Sequence, residues 1–189
     1  MKLEKKYYQY YTSKMSEWHK KRIGEYHASM VYDIVKGYLK PKDFFKKKEE
    51  EPISLHYMDT GSLWHGQIGK MYENQEYTER EIRIPIDDFE IIGRVDLFID
   101  NKVCELKTCE NFPKNVYQSH KYQVICYMKA LNKNKAFVTY VKVRGGRPLF
   151  PEEETTKNFI IPFSEVLWNQ IVKGVQGFHN EVKELYGTK

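Results

Sequence analysis

Glu90-Ile91-Ile92-Gly93-Arg94-Val95-Asp96-Leu97-Phe98-Ile99, then Val103-Cys104-Glu105-Leu106-Lys107-Thr108, is the stretch that decides how this chain reads. Both runs are apolar and β-branched and are bounded by polar residues, which predicts two strands. Asp100-Asn101-Lys102 separates them, and asparagine tolerates the positive φ of a tight hairpin. With Asn101-Lys102 as the loop, Asp100 pairs with Val103 and Asp96 falls opposite Lys107. Strand side chains alternate faces, so Glu105 and Lys107 then share the face that carries Asp96. Glu105 becomes the diagonal neighbour of Asp96, roughly 7–8 Å away, and both carboxylates can hold one cation. An exposed hairpin with an ordinary cross-strand ion pair is the competing reading.

Two further segments bear on that choice. Upstream, Thr60-Gly61-Ser62-Leu63-Trp64-His65-Gly66-Gln67-Ile68 places Leu63, Trp64, Ile68 and Met71 on a helical stripe, with Gly61-Ser62 suited to its start. His65 on such a helix fits a packed or solvated side chain as well as a ligand. Downstream, residues 115–131 read as a helix with Val116, Val124, Met128 and Leu131 as its apolar contacts. His120, Gln123 and Tyr127 follow helical spacing and project from one face.

The order of these features, a Gly…His helix, Gly-x-x-Asp, Glu-x-Lys and Gln-x-x-x-Tyr, resembles the RecB-like branch of the PD-(D/E)XK nucleases. That branch includes the CRISPR-associated adaptation exonucleases and viral and phage relatives, and the likeness spans about Gly61 to Val143. It implies a restriction-endonuclease-like α/β core of order αβββαβ, a mixed sheet flanked by helices. It further implies His65, Asp96, Glu105 and the backbone carbonyl of Leu106 as metal ligands. Lys107 would orient the attacking water, while Gln123 and Tyr127 would support the site and the DNA strand. Several RecB-like nucleases hold an iron–sulfur cluster with four cysteines, one near the N-terminus and three near the C-terminus. This chain has only Cys104, Cys109 and Cys126, so no cluster is expected. Tyr26–Tyr32 resembles the place of the first cysteine and carries apolar and aromatic side chains instead.

Composition sets outer bounds. With 189 residues, 41% of them hydrophobic, the chain can bury a full core. It contains no apolar run near the ~20 residues of a membrane helix. The opening MKLEKKYYQYYTSK lacks the apolar stretch of a signal peptide, which predicts a cytoplasmic protein, in the host cytoplasm if viral. Three cysteines without CxxC spacing speak against a disulfide framework. Residues 1–48 carry a balance of +8 while the whole chain is +5, so the remainder is acidic. Basic residues there interleave with Tyr7, Tyr8, Tyr10, Tyr11, Trp18, Tyr26, Tyr32 and Tyr38, as in a single-strand channel with phosphates on cations and bases on rings. A helical subdomain with solvated lysines fits equally. Lys20, Lys21 and Arg22 are the candidate DNA contacts of this region, and Arg144 and Arg147 those of a later loop.

Along the chain, Lys5–Lys40 reads as mainly helical and Lys42–Pro52 as a charged linker. This divides a basic, aromatic N-terminal elaboration (1–52) from a nuclease core (53–189). Glu79–Ile86 alternates as a strand, Asp87-Asp88 turns into the central hairpin, Ala136–Val143 and Asn158–Ile161 are later strands. Ser164 caps a long helix with stripe Leu167, Ile171, Val175, Phe178, Val182 and Leu185.

Oxygen ligands suit Mg²⁺ or Mn²⁺, and an imidazole from His65 favours Mn²⁺. The function expected is metal-dependent DNA hydrolysis by an exonuclease or an end- or single-strand-directed nuclease. The alternatives are a nuclease dependent on a recombination or adaptation partner protein, and a non-catalytic DNA-binding module. Because two adjacent carboxylates repel without a cation, Asp96→Ala and Glu105→Ala should cost little stability.

Overall fold

The computed structural model describes residues 21–46, 78–99, 101–144, 147–148 and 155–187. The sheet is organised by the longest strand, β3 (Phe89–Ile99), which reaches its neighbours on both sides. β1 (Glu25–His27) runs parallel to it at Glu90–Ile92. β2 (Thr78–Ile86) pairs antiparallel along nearly its whole length, from Ile86↔Phe89 to Thr78↔Leu97. The Asp87-Asp88 turn closes that hairpin, with Asp87 at φ 49°. β4 (Lys102–Cys109) pairs antiparallel with the far end of β3 through Leu97↔Cys104, Phe98↔Val103 and Ile99↔Lys102.

That register corrects the one expected above. Lys102 already belongs to the strand, paired with Ile99, and Asn101 just before it stands at φ 63°. Asparagine occupies the left-handed position directly before β4. Continued one step, the pairing sets Asp96 level with Glu105 instead of Lys107. The shift is by two residues, so the assignment of faces survives it.

α2 (Gln118–Ala130) carries the chain from β4 to β5 (Lys135–Arg144), which lies parallel to β4 from Val103↔Ala136 to Cys109↔Lys142. β7 (Thr156–Pro162) adds antiparallel to the other edge of β5, and the two-residue β6 (Arg147–Pro148) closes a short hairpin with Val143 and Arg144. The sheet is therefore mixed, with β1 and β4 sharing one edge of β3 end to end.

Residues 25–27 were expected to be helical and are a strand. Gly24 at φ 91° turns the chain, its carbonyl accepts from the Glu90 amide at 2.7 Å, and the pairing with β3 overrides local preference. A 3₁₀ turn (Ala28–Met30) and the short α1 (Val31–Val35) follow. α3 (Glu165–Tyr186) begins as expected, with Ser164 Oγ accepting from the Leu167 amide at 3.2 Å. Its inner face is Trp168, Ile171, Val175, Phe178, His179 and Val182, whereas Leu185 at the last turn is 55% exposed. Each fully buried aliphatic or aromatic side chain of that face contributes about 1.5–3 kcal/mol. α3 and α1 approach closely at Gly174, where a Cβ would stand 2.8 Å from Val35 Cγ2.

One core joins α1, α2 and α3 to the sheet. Within it, the Tyr26 hydroxyl meets His179 Nδ1 at 2.8 Å, and His179 Nε2 stands 3.2 Å from Asp88 Oδ2. Burial, the main cause, pushes the Tyr26 phenol up to about 12. Hydrogen bonds from Lys183 and then His179 hold Asp88 down at about 2. A smaller cluster, Leu97, Cys104 and Leu106 against Phe137, lies on the other side of β4.

Candidate active site

The β3–β4 ladder stops at Leu97↔Cys104, and Asp96 is the reason. Its Oδ2 accepts the Leu106 amide at 2.8 Å, taking a place that a strand carbonyl would otherwise fill. Side-chain alternation also slips here. Ile91 and Val95 join the main core and Gly93 meets α2, yet Leu97 packs with Cys104 and Leu106 in the opposite cluster. Residues two apart on a regular strand share a face, so β3 changes face at Asp96.

Glu105 points into the main core side of β4 and is 1% exposed. Lys107, two residues on and on the same side, places Nζ 2.6 Å from Glu105 Oε1. Burial disfavours the ammonium, but Glu105 and Asp96 together outweigh it and raise the Lys107 pKa above its ordinary value. Lys107 is therefore a cation at neutral pH.

α2 lies over this face and brings three polar groups to it. Gln123, buried, donates from Nε2 to the Tyr127 hydroxyl at 2.7 Å. The Tyr127 ring rests on β3 at Gly93, and its phenol is pushed well up, first by burial and then by the charge of Glu105. One turn before Gln123, His120 Nδ1 meets the Tyr140 hydroxyl at 2.7 Å. Tyr140 belongs to β5 and is the register partner of Lys107. Burial, then the charge of Lys107, drives the His120 pKa down to about 4.

The structure thus brings together Asp96, Glu105, Leu106, Lys107, Gln123 and Tyr127. His65 and Lys20 lie outside the described residues. Lys21 donates to the Phe44 carbonyl and sits over the Phe44 ring, while Arg22 pairs with Glu25 at 3.4 Å. Arg144 and Arg147 are register partners of β5 and β6. Cys104 and Cys126 are buried in different clusters and Cys109 is half-buried, none of them in a disulfide. Sequence reasoning missed Tyr140, whose position comes only from strand pairing 33 residues after the partner it meets across the ladder. Gly93 of the Gly-x-x-Asp motif is required by the Tyr127 ring, whose Cε1 would stand 2.7 Å from a Cβ there.

Among the described residues no three His, Cys, Asp or Glu side chains gather into a metal-binding group. Asp96 holds the Leu106 amide, and the charges of Asp96 and Glu105 both bear on Lys107. Two carboxylates and a backbone carbonyl are the donors that a hard divalent cation takes, so the residues present fit Mg²⁺ or Mn²⁺.

The mixed sheet and the crossover helix α2 between parallel β4 and β5 make up an α/β fold of the restriction-endonuclease-like kind. Solved structures share it. An alkaline exonuclease from Laribacter hongkongensis superposes with a TM-score of 0.64 at 17% identity, covering 89% of this chain and 93% of that one. The same enzyme in complex with dAMP gives 0.61 at 16%, over 90% and 95% of the two chains. A phage-related exonuclease from Haemophilus somnus 129PT gives 0.61 at 14%, over 86% and 95%. No protein-family model and no curated protein matches the chain. Among the described residues no helix is long and apolar enough to cross a membrane.

Proposed function

We propose that this chain is a divalent-metal-dependent deoxyribonuclease, hydrolysing phosphodiester bonds as an exonuclease or end-directed enzyme. One observation carries the reading: Glu105 is withdrawn from solvent at 1% exposure and faces Lys107 at 2.6 Å, on which the charge of Asp96 also bears. Burying charged groups in this way is a poor route to stability and a common one to function. The solved neighbours named as exonucleases, one of them with dAMP, support the choice of substrate.

Asp96, Glu105 and the Leu106 carbonyl would hold Mg²⁺ or Mn²⁺, with His65 as the further ligand the resemblance implies. When bound, the ion supplies positive charge that acidifies a water and offsets charge developing on the phosphoryl group. The chain's own residues then divide the remaining work. Lys107 stays protonated, so it serves as a donor that orients the nucleophile and faces the pentacoordinate phosphoryl oxygens, not as the base. Gln123 donates to the Tyr127 hydroxyl, which leaves the phenol proton for an acceptor such as a phosphate oxygen. Residues 1–52, with Lys20, Lys21 and Arg22, and the Arg144/Arg147 hairpin would extend the DNA path beyond the site.

The deciding experiment offers linear and circular, single- and double-stranded DNA with Mg²⁺, Mn²⁺ or excess chelator. Cleavage that needs a divalent ion and a free end, and that disappears in Glu105→Gln, is the expected result. Cleavage unaffected by chelator would sink the metal mechanism. DNA binding without cleavage under every condition would return the chain to a binding module.

A further inference from the structure

His120 has a role that neither the motifs nor the metal site accounts for. Its ring is held in one orientation by a chain of hydrogen bonds across two elements. The Tyr117 amide donates to the Tyr140 hydroxyl at 3.2 Å, and that hydroxyl meets His120 Nδ1 at 2.7 Å. The Tyr117 N–H can only donate, so among the described residues Nδ1 is the acceptor for the proton of the buried Tyr140 hydroxyl. The imidazole is then the Nε2–H tautomer, with Nδ1 satisfied and Nε2 as a donor. Nε2 makes no hydrogen bond or ion pair with any of the described residues. The Tyr117 ring, 54% exposed, stands nearly perpendicular to the imidazole with centroids 5.5 Å apart. Lys107, whose register partner is Tyr140, lies near enough that its charge bears on His120.

We propose that His120 is a further substrate-contacting residue, a neutral donor that gives its Nε2–H to a phosphodiester oxygen of the strand beside Lys107. Tyr140 is its positioning residue, fixing the tautomer from β5. A neutral donor complements Lys107 at this point. A second fixed cation would compete with Lys107 for the same carboxylates, whereas an N–H donor recognises phosphate without disturbing the Glu105–Lys107 pair. The low pKa supports this state, because burial and Lys107 keep the imidazole uncharged throughout the neutral range.

The proposal rests on the nuclease reading for its substrate, and its test separates the two. Affinity for a single-stranded oligonucleotide is measured in Ca²⁺ with the folded full chain, for the natural backbone and for one with a neutral methylphosphonate at single linkages. Wild type should lose about 10-fold or more at one linkage, as for loss of a hydrogen bond to a charged group. His120→Ala should show the same loss with the natural oligonucleotide and no added loss at that linkage. His120→Gln, which can place an amide N–H near the Nε2 position, should recover most of it. Tyr140→Phe should fall between in affinity, read on fully folded protein because the stranded Tyr117 amide lowers its melting temperature. In Mn²⁺ the same variants should raise KM more than they lower kcat.

Equal losses at that linkage in wild type and His120→Ala would overturn the contact, as would a His120→Ala that binds like wild type. If His120→Ala does not fold, the comparison of His120→Gln and Tyr140→Phe across the same linkages decides by the same criterion. Wild type that binds but never cleaves would remove the nuclease reading, while the linkage comparison would still judge His120.

Discussion

Tyr127 lies so close over Gly93 that a Cβ at residue 93 would stand 2.7 Å from its Cε1. The same added atom would meet Ala28 Cβ at 3.2 Å, so it has helix on one side and the 3₁₀ turn on the other. Gly93→Ala should therefore displace the Tyr127 ring and with it the hydroxyl that Gln123 holds. A loss of about 1–3 kcal/mol in stability is expected for such overpacking, together with a fall in turnover larger than the stability loss explains. Circular dichroism melts and single-turnover cleavage on one preparation check both. An unaffected Gly93→Ala would show that Tyr127 can move without consequence.

Asp96→Ala and Glu105→Ala should both cost stability, and both should abolish cleavage. The sequence alone suggests that either carboxylate can be removed at little cost. The structure changes that for both: Glu105→Ala leaves the Lys107 ammonium without its buried carboxylate partner, and Asp96→Ala strands the Leu106 amide at the break in the ladder. About 1–2 kcal/mol of destabilisation is expected for a partly buried donor left without its acceptor. Asp96→Asn keeps an acceptor oxygen and should melt near wild type while remaining inactive. The measurement is melting temperature for the pair Asp96→Ala and Asp96→Asn, read beside metal-dependent cleavage.

Gln123→Ala and Tyr127→Phe should lower single-turnover cleavage by about 10–1000-fold, as for lost positioning groups, with Mn²⁺ affinity near wild type. Gln123→Ala should be the more destabilising, since it leaves a hole between α2 and the sheet, while Tyr127→Phe keeps the ring on Gly93. Turnover per folded molecule that held at the wild-type value in both would make the pair a packing feature only.

Acid should weaken the fold through His120. Its pKa falls from an ordinary 6.5 to about 4 in the folded chain, from burial and Lys107. The unfolded chain thus binds the proton more readily, and stability is lost as pH drops from 6.5 toward 4 and levels off below. The groups facing the ring are Lys107, Tyr117 and Tyr140. His120→Gln should flatten the dependence of denaturant midpoint on pH across that window. The same slope in both proteins would place the sensitivity elsewhere.

How much of this was legible follows from what each signal depends on. The hairpin, α2 and α3 show in the sequence because apolar period and caps are local, and Ser164 caps its helix as its hydroxyl suggests. The register of the hairpin was not, because Asp100, Asn101 and Lys102 are all acceptable loop residues and only the β4 pairing chooses among them. β1 was hidden for a related reason: three residues of an edge strand carry no period, and their conformation comes from β3. The Glu-x-Lys spacing survived the register error since a two-residue shift preserves faces. The slip in alternation at Asp96 has no local signature, and neither does Tyr140, which reaches the site by pairing with Lys107.

The bond between Tyr26 and His179 joins positions 153 residues apart, and this has a bearing on how the protein is made. β1 has three residues against β3, too little pairing to hold a strand at a sheet edge unaided. Its one fully buried hydroxyl finds a partner on the final helix, and Phe44 and Phe178 close around the same ring. A chain still emerging from the ribosome would have β3, β4 and α2 in hand while Tyr26 waited. Completion of α3 is then the event that locks the earliest described strand, so a nascent protein halted before Phe178 should present an open sheet edge to chaperones and proteases.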